Sequence, residues 1–503
     1  MIAMATKLLG RFKYWLLALF GLLAIALLAE NSFSYLDPDF GRHYQLGSQT
    51  WQNFSVAFLE HGWLTNLITY SSSHFGSYLF LSLFFIGLAW LTWFILVRQT
   101  IKDELNNQAN SFILWLLAAV AFKASLPYFG VRSQVFTILF LLVLIIWLTK
   151  VVRRQAWRNF DLVLMPAFFW LWASLQHGVM AGLIVLSGWS GYRLLLWLAN
   201  KLRRSGRIVN GSLPGRQVIM SIGITGLSWL ATAMFKRTDF SLTLNWQPLV
   251  NDLWSWQALY YFIFAAALVL LIIKFNYQSA ANRRQVIKWW SSQDYWTILL
   301  ASAWFFLTWF TAYNFPIFVI VSFAWLVGCY QQLIGDWLVE VKRWSVFLKI
   351  FIMAAIILAG GLAVANTNWL SQPERDYCGS YPCVALQYLR QTPYRHWLTL
   401  VDYGWQGYFY WQWPEKEVLA NELLQFQQEE QIKDFLNQSD LSAIVISQPQ
   451  TPKFDWLEIW LLGRGQKIQD YDNFSENIRR LMLKMPDWRM IYSDNTAIIY
   501  VRQ

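Results

Sequence analysis

Between residues 13 and 366 the chain returns repeatedly to apolar stretches long enough to cross a bilayer. A helix rises about 1.5 Å per residue, so about 20 apolar residues cover a hydrocarbon core of about 30 Å. That medium offers no water to the backbone, so every N–H and C=O must be satisfied inside the segment, which selects helices. About eleven spans are expected, near 13–30, 77–97, 111–128, 134–150, 161–175, 179–199, 217–236, 257–275, 295–313, 315–335 and 345–366. Only 14% of residues are charged, against about 25% in soluble domains. The expected fold class is a polytopic α-helical membrane protein. The first stretch lacks a clear small-residue cleavage site and reads as an uncleaved anchor. The two spans around Gln176–Gly178 could also form one long kinked helix.

The net charge of +11 does not point to nucleic acid, because the cations sit in short connections between spans. One alternate set of connections holds twenty Lys and Arg; the opposite set holds Arg42, Arg132, Lys236 and Arg237. The positive-inside rule then places the N-terminus in the cytoplasm and the segment 30–77 outside. An odd number of spans leaves the C-terminal region outside as well. Many of the 32 tryptophans lie near span ends, where an indole suits the headgroup layer.

Beyond residue 366 the long apolar runs stop. The segments 396–402, 442–448, 488–494 and 496–502 are rich in β-branched and aromatic residues and predict strands. Apolar spacing predicts helices over 421–438 and 475–485. Strands alternating with helices imply a soluble α/β domain over 367–503, after a membrane domain over 1–366. Cys378 and Cys383 flank "GSYP"; in an oxidising compartment they could close a local disulfide, and otherwise they are two free thiols.

The external segment 30–77 is longer than a connector between two spans needs, and long ordered loops usually carry function. It contains "YLDPDFGRHYQLG", which sets Asp37, Asp39, Arg42 and His43 beside the first span. Asp37 and Asp39 flank a proline, and His43 follows Asp39 by four, which shares a face if a helix begins near Phe40. Asp39 would then also serve as an ordinary N-cap. Arg132, in "YFGVRSQVF", can bind phosphate or snorkel to headgroups. His177 interrupts apolar sequence beside a glycine; ionisable groups at such depth tend to face the protein interior or a wet cavity. There is no Walker A loop, dinucleotide fingerprint, HExxH or GxSxG elbow.

Taken together these stretches resemble the GT-C superfamily of integral-membrane glycosyltransferases. "LDPDFGRHYQLG" is similar to a "DPD…WH…G" loop of bacterial members. "VRSQVFTILF" (131–140) resembles an "RPQxFS" span entry, and "WLWASLQHGVMAGL" (170–183) resembles "WxNxHGG". "VDYGWQGYFYWQWPEKEVLANE" (401–422) resembles "YxWGGYLIW", with "LANE" where relatives tend to carry "DGR". Asp402, Tyr403 and Gly404 also match part of the "WWDYG" of oligosaccharyltransferase catalytic subunits.

The resemblance implies transfer of a sugar, with inversion, from a polyprenyl-phosphate-type lipid donor to a glycan, lipid or protein acceptor on the external face of a bacterial plasma membrane. Asp37 or Asp39 would be the general base. Arg132, then Arg42 and His177, would bind the donor phosphate, with His43 beside them. Asp402, Tyr403 and Gly404 would serve the acceptor or a lid. A divalent metal (Mg or Mn) held by an aspartate is allowed for and not decided. The rival reading is a transport or non-catalytic protein of lipid-linked glycan assembly: a flippase, a polymerase partner or a degenerate scaffold. Partners are the lipid-linked donor and membrane lipids, not nucleic acid.

Overall fold

Pro38 opens the first described helix, α1 (Pro38–Gln52), where its fixed φ and missing N–H cost nothing. The computed structural model describes residues 38–52, 62–104, 111–176, 178–202, 214–235, 256–277, 295–310, 314–340, 381–402, 405–413, 415–416, 418–419, 429–448 and 478–503. The expected first and last spans, 13–30 and 345–366, lie outside these residues.

After α1 the chain turns at Gly62, whose φ of +77° is a left-handed conformation that glycine alone adopts without strain. The next helix, α2 (Trp63–Glu104), has 42 residues and reaches about 63 Å, twice the hydrocarbon thickness. Only its second part, Phe80–Lys102, is long and apolar enough to span. Its first turns, "WLTNLITYSSSH", are mixed in polarity and pack against α1. Much of the expected external loop is therefore a helical pair.

Eight further helices follow among the described residues: α3 (Ser111–Ser125), α4 (Gln134–Arg154), α5 (Asp161–Leu175), α6 (Val179–Leu202), α7 (Gly215–Ala233), α8 (Trp256–Tyr277), α9 (Tyr295–Phe310) and α10 (Phe315–Glu340). An apolar helical membrane protein is what the structure supports, and the described residues by themselves do not supply eleven spans. Among the described residues three segments meet both length and apolarity: Phe80–Lys102, Gln134–Arg154 and Val179–Leu202. Five other apolar helical segments, such as Ile113–Ser125 and Phe315–Gln331, run for 10–17 residues within the described side chains. At Gln176 the backbone is extended (φ −165°, ψ 149°), so α5 and α6 are separate helices rather than one kinked helix.

Leu83, Ile184, Ile219, Leu230, Phe262 and Phe306 are exposed on these helices. In water such a surface would aggregate; lipid tails accept it at no cost. Many polar side chains find partners within the bundle. Ser and Thr hydroxyls donate back along their own helices, as Thr100 to Leu96 O (2.9 Å) and Ser322 to Phe318 O (2.7 Å). Others join helices: Ser190 Oγ lies 2.9 Å from Thr225 Oγ1, and Trp229 Nε1 donates to Ser187 Oγ at 3.0 Å. Such bonds and small-residue contacts replace the hydrophobic drive that is missing between helices in lipid.

The C-terminal residues build α11 (Cys383–Gln391), β1 (Thr399–Val401), α12 (Gln406–Gln412), β2 (Val418–Leu419), α13 (Glu429–Gln438), β3 (Ala443–Ser447), β4 (Trp488–Ser493) and β5 (Ala497–Arg502). The strands form one mixed sheet in the order β2-β1-β3-β5-β4, with β1 parallel to β2 and β3 and the other pairs antiparallel. Period-two alternation gives the sheet two apolar faces. Val401, Ala443, Val445, Ile499 and Val501 join a buried cluster continuous with the long helices. Leu400, Ile444, Ile446, Ile498 and Tyr500 face α13 and the helical turn at 478–482. All four expected strands form; the short β2 was not expected, because two residues carry no readable alternation. Cys383 is disulfide-bonded, so of the two alternatives for its thiol the bonded one holds, while Cys329 is free and buried.

Asp494 holds the β4–β5 hairpin. Its Oδ1 accepts from the N–H groups of Thr496 and Ala497, both at 2.7 Å, and Tyr492 donates its hydroxyl to Oδ2 at 2.5 Å. Burial would raise its pKa, but these three donors together outweigh it and hold the carboxyl below the usual range. A depressed folded pKa stabilises the hairpin above the unfolded value of about 4, and that contribution is lost as pH falls through the folded one. Asp494→Ala is expected to cost about 1 kcal/mol, read as faster hydrogen exchange of β4 and β5 amides in the full chain. The difference from wild type should narrow on acidification below about pH 4.

Candidate functional site

The site is built at one end of the helical bundle by a relay of close contacts that starts at α1. Gly41 of α1 lies against Gly407 of α12: a Cβ there would overlap the Gly407 carbonyl oxygen and stand 2.8 Å from Tyr410 Cβ. On either side, Phe40 is fully buried and meets Trp411 edge-on at 5.7 Å. Gly47, six residues on, faces the opposite way, where a Cβ would come 2.6 Å from Tyr70 Cβ and 2.9 Å from the Asn66 carbonyl carbon. The two glycines thus let α1 lie between α2 and the C-terminal domain at backbone distance.

The relay continues from α2 into the bundle. Gly62 donates its N–H to Ala173 O (3.1 Å), and Thr65 Oγ1 donates to Leu175 O (2.5 Å), at the end of α5. In the α5–α6 turn, Gln176 Oε1 accepts from Gly178 N (3.1 Å) and from Thr137 Oγ1 in the first turn of α4. Trp172 Nε1 also donates to Thr137 Oγ1, at 3.3 Å. A Cβ on Gly178 would overlap that hydroxyl. All four stretches singled out in the sequence, 36–47, 131–140, 170–183 and 401–422, therefore contribute residues to one connected end of the molecule.

The individual side chains are placed as follows. Asp39 stands in the first turn of α1, because the helix begins at Pro38 and not near Phe40; of this residue only the backbone is described. The N-cap role expected for it is therefore not the one its position allows. Arg42 is exposed. His43 is half-buried, and its Nδ1 lies 2.6 Å from Asn66 Oδ1 on α2, which sets the orientation of the ring. Beyond it, Tyr44 packs on Tyr70 at 5.3 Å, and Tyr70 stacks on His74 at 5.3 Å with 13° between the planes.

Arg132 sits half-buried on the connection between α3 and α4, five residues before Thr137 and near enough to the Tyr128 hydroxyl to act on it electrostatically. Asp402 is buried at the carboxyl end of β1. Its carboxylate accepts from Ser447 Oγ (3.0 Å), its N–H donates to Val445 O (3.1 Å), and its carbonyl accepts from Trp405 N (2.9 Å). The carboxylate ties β1 to the end of β3, and the backbone carbonyl sets the start of α12. Carboxyl ends of parallel strands are where open α/β sheets bind ligands, and here that edge leads directly into the helix that meets α1. Asp37, His177, Tyr403 and Gly404 lie outside the described residues. Among the described residues no three His, Cys, Asp or Glu gather as metal ligands.

Sequence reasoning missed Asn66, Thr137 and Gln176, ordinary polar residues without a motif of their own; only their positions beside His43's helix and His177 could have drawn attention. It also passed over Arg193. This residue is 1% exposed within α6, with its guanidinium 5.2 Å from the ring centres of both Trp189 and Tyr192. Aromatic faces are favourable neighbours for a desolvated guanidinium, and at this depth a charge needs such company. A count confined to the connections could not register it.

The opposite end of the bundle carries the cations. Arg98 and Lys102 end α2, Lys150, Arg153 and Arg154 end α4, and Lys201 ends α6, while Arg216 opens α7. There Trp157 donates from its backbone to Gln217 Oε1 and from Nε1 to Ser221 Oγ, both at 2.6 Å. No family model matches the chain, and no curated protein matches it either.

Gly41→Ala is expected to push α1 from α12 and cost about 1–3 kcal/mol, the usual penalty of overpacking. Thermal unfolding of the full chain in detergent should show a lower midpoint, with faster hydrogen exchange in α12. Gln49→Ala, exposed on the same helix, should change neither.

Proposed function

We propose that the chain is an integral-membrane glycosyltransferase of the GT-C type that takes a sugar from a polyprenyl-phosphate-type lipid donor. The observation that carries this reading is the convergence just described: four stretches spread over most of the chain meet at one end of an apolar helical bundle. A structural accident would not be expected to join the Asp37–His43 stretch, the Arg132 turn, the turn beside His177 and the segment after Asp402 in one relay. The position of the cations supports the topology, because they end helices at the far side from this cluster. The disulfide at Cys383 supports an oxidising, external location for the C-terminal domain.

In this reading the lipid tail stays in the bilayer and the sugar phosphate reaches the end where α1 lies. An acceptor hydroxyl oxygen attacks the anomeric carbon. The bond from that carbon to the phosphate oxygen breaks, the phosphate leaves with the electron pair, and the configuration inverts. The hydroxyl proton passes to Asp37 or Asp39 as general base. Arg132, with Arg42 and His177, stabilises the charge that grows on the departing phosphate. His43, oriented by Asn66, lines the acceptor side. The C-terminal domain, locked to α1 through Gly407, covers the site and selects the acceptor. About eleven spans, with 13–30 and 345–366 among them, would place the N-terminus in the cytoplasm of a bacterial cell.

Purified protein given radiolabelled polyprenyl-phosphate sugars and cell-envelope acceptors is expected to transfer label. Asp37→Asn or Asp39→Asn should lower turnover about 10²–10⁴-fold, the range for loss of a general base, with expression unchanged. Full activity in both variants would remove the proposed base. Passage of donor across a vesicle membrane without transfer would overturn the enzyme reading in favour of a transport protein.

A further inference from the structure

Among the described residues a groove lies away from the site above, at the cationic end of α4. It is about 350 Å³, within the size range of ligand clefts, and is lined by Ile95 of α2 and by Val143, Ile146, Trp147, Lys150 and Arg154 of α4. The α4 residues follow steps of three, one, three and four, so they make one stripe along a single helix face. From Val143 to Arg154 the stripe climbs about 16 Å, half the hydrocarbon thickness. Its deep part is wholly apolar. Its mouth carries two cations one helical turn apart, both exposed, and among the described residues no carboxylate lines it.

The bland account of Lys150 and Arg154 is that they complement the carboxyl end of α4 and set topology. That account covers the charges and not the hollow beneath them. Helices that pack only for stability close such a gap, since an unfilled apolar cleft forfeits dispersion contacts along its walls. Here the hollow and the charges are in register: an apolar slot running into the membrane, and a cationic clamp at the headgroup level. A zwitterionic headgroup gains little from two cations without a facing anion. A lipid with net negative charge gains from both.

We infer that this groove is a binding site for an anionic phospholipid of the leaflet at the cationic end, with one acyl chain lying along Ile95, Val143, Ile146 and Trp147. Its phosphate is held by Lys150 and Arg154. The site is separate from the proposed transfer chemistry and stands on the opposite side of the membrane domain.

Full-length protein in detergent, titrated with phosphatidylglycerol or phosphatidylcholine of identical acyl chains and read by native mass spectrometry, tests this. Wild type is expected to retain phosphatidylglycerol preferentially. Lys150→Gln with Arg154→Gln should weaken that binding roughly thirtyfold, the product of two surface cations near lipid. Ile95→Trp, which keeps both charges and fills the slot, should weaken it as well, and Val143→Trp serves if that variant does not fold. Arg216→Gln, an exposed cation at the same end, should leave it unchanged. Equal retention of the two lipids by wild type, an unaltered double variant, or full binding with the slot filled would each overturn the inference. Displacement of the lipid by an equal concentration of inorganic phosphate would also overturn it, since the clamp would then read phosphate alone.

Discussion

Helix α1 lies at backbone distance from two different partners, and the candidate site depends on that. Gly41 presses on Gly407 and Gly47 on Asn66, so one short helix bridges the membrane helices and the sheet domain. Close approach of this kind is open to glycine alone, because any side chain would hold the helices apart. The order of the surrounding parts follows. Once α1 is seated, Phe40 fills the space beside Trp411, His43 meets Asn66, and the mixed-polarity start of α2 gains a partner outside its apolar length.

A second constraint operates inside the bundle. Apolar helices have no hydrophobic reason to associate in lipid, so specificity comes from hydroxyls, amides and small residues at chosen places. Thr137, Gln176 and Gly178 form such a node, and Ser190 with Thr225 forms another. Further along, the rings of Tyr260, Tyr261, Phe264, Phe305, Phe315 and Phe318 pack edge-to-face or stacked. The two tyrosines put their hydroxyls on Ser322 and Thr308. An aromatic with a polar tip can thus be buried without leaving that tip unsatisfied.

The segregation of charge is global rather than local. Cations cluster at one end of the helices, while the aspartate-bearing helix and the sheet domain occupy the other. This leaves each end with its own character: polar contacts where α1, α2 and α12 meet, and exposed cations above an apolar groove where α4 ends.

Much of this was legible before any coordinate. Apolar length predicts helices, β-branched alternation predicts the strands around Leu400, Val445, Tyr492 and Ile499, and cation placement predicts which helix ends share a side, because each rests on a local or periodic property. The separate spans expected on either side of Gln176 form as two helices, while three of the expected spans meet both length and apolarity among the described residues. The stretch from Asp37 to His43 stood out by its charges. That His43 would turn to Asn66, that Arg42 would be exposed, and that Asp402 would tie two strands together could not be read, because each is decided by a neighbour far along the chain. The contact of Gly41 with Gly407 is the limiting case: two residues without side chains carry no pattern of their own, and only the packing of distant helices gives them a role.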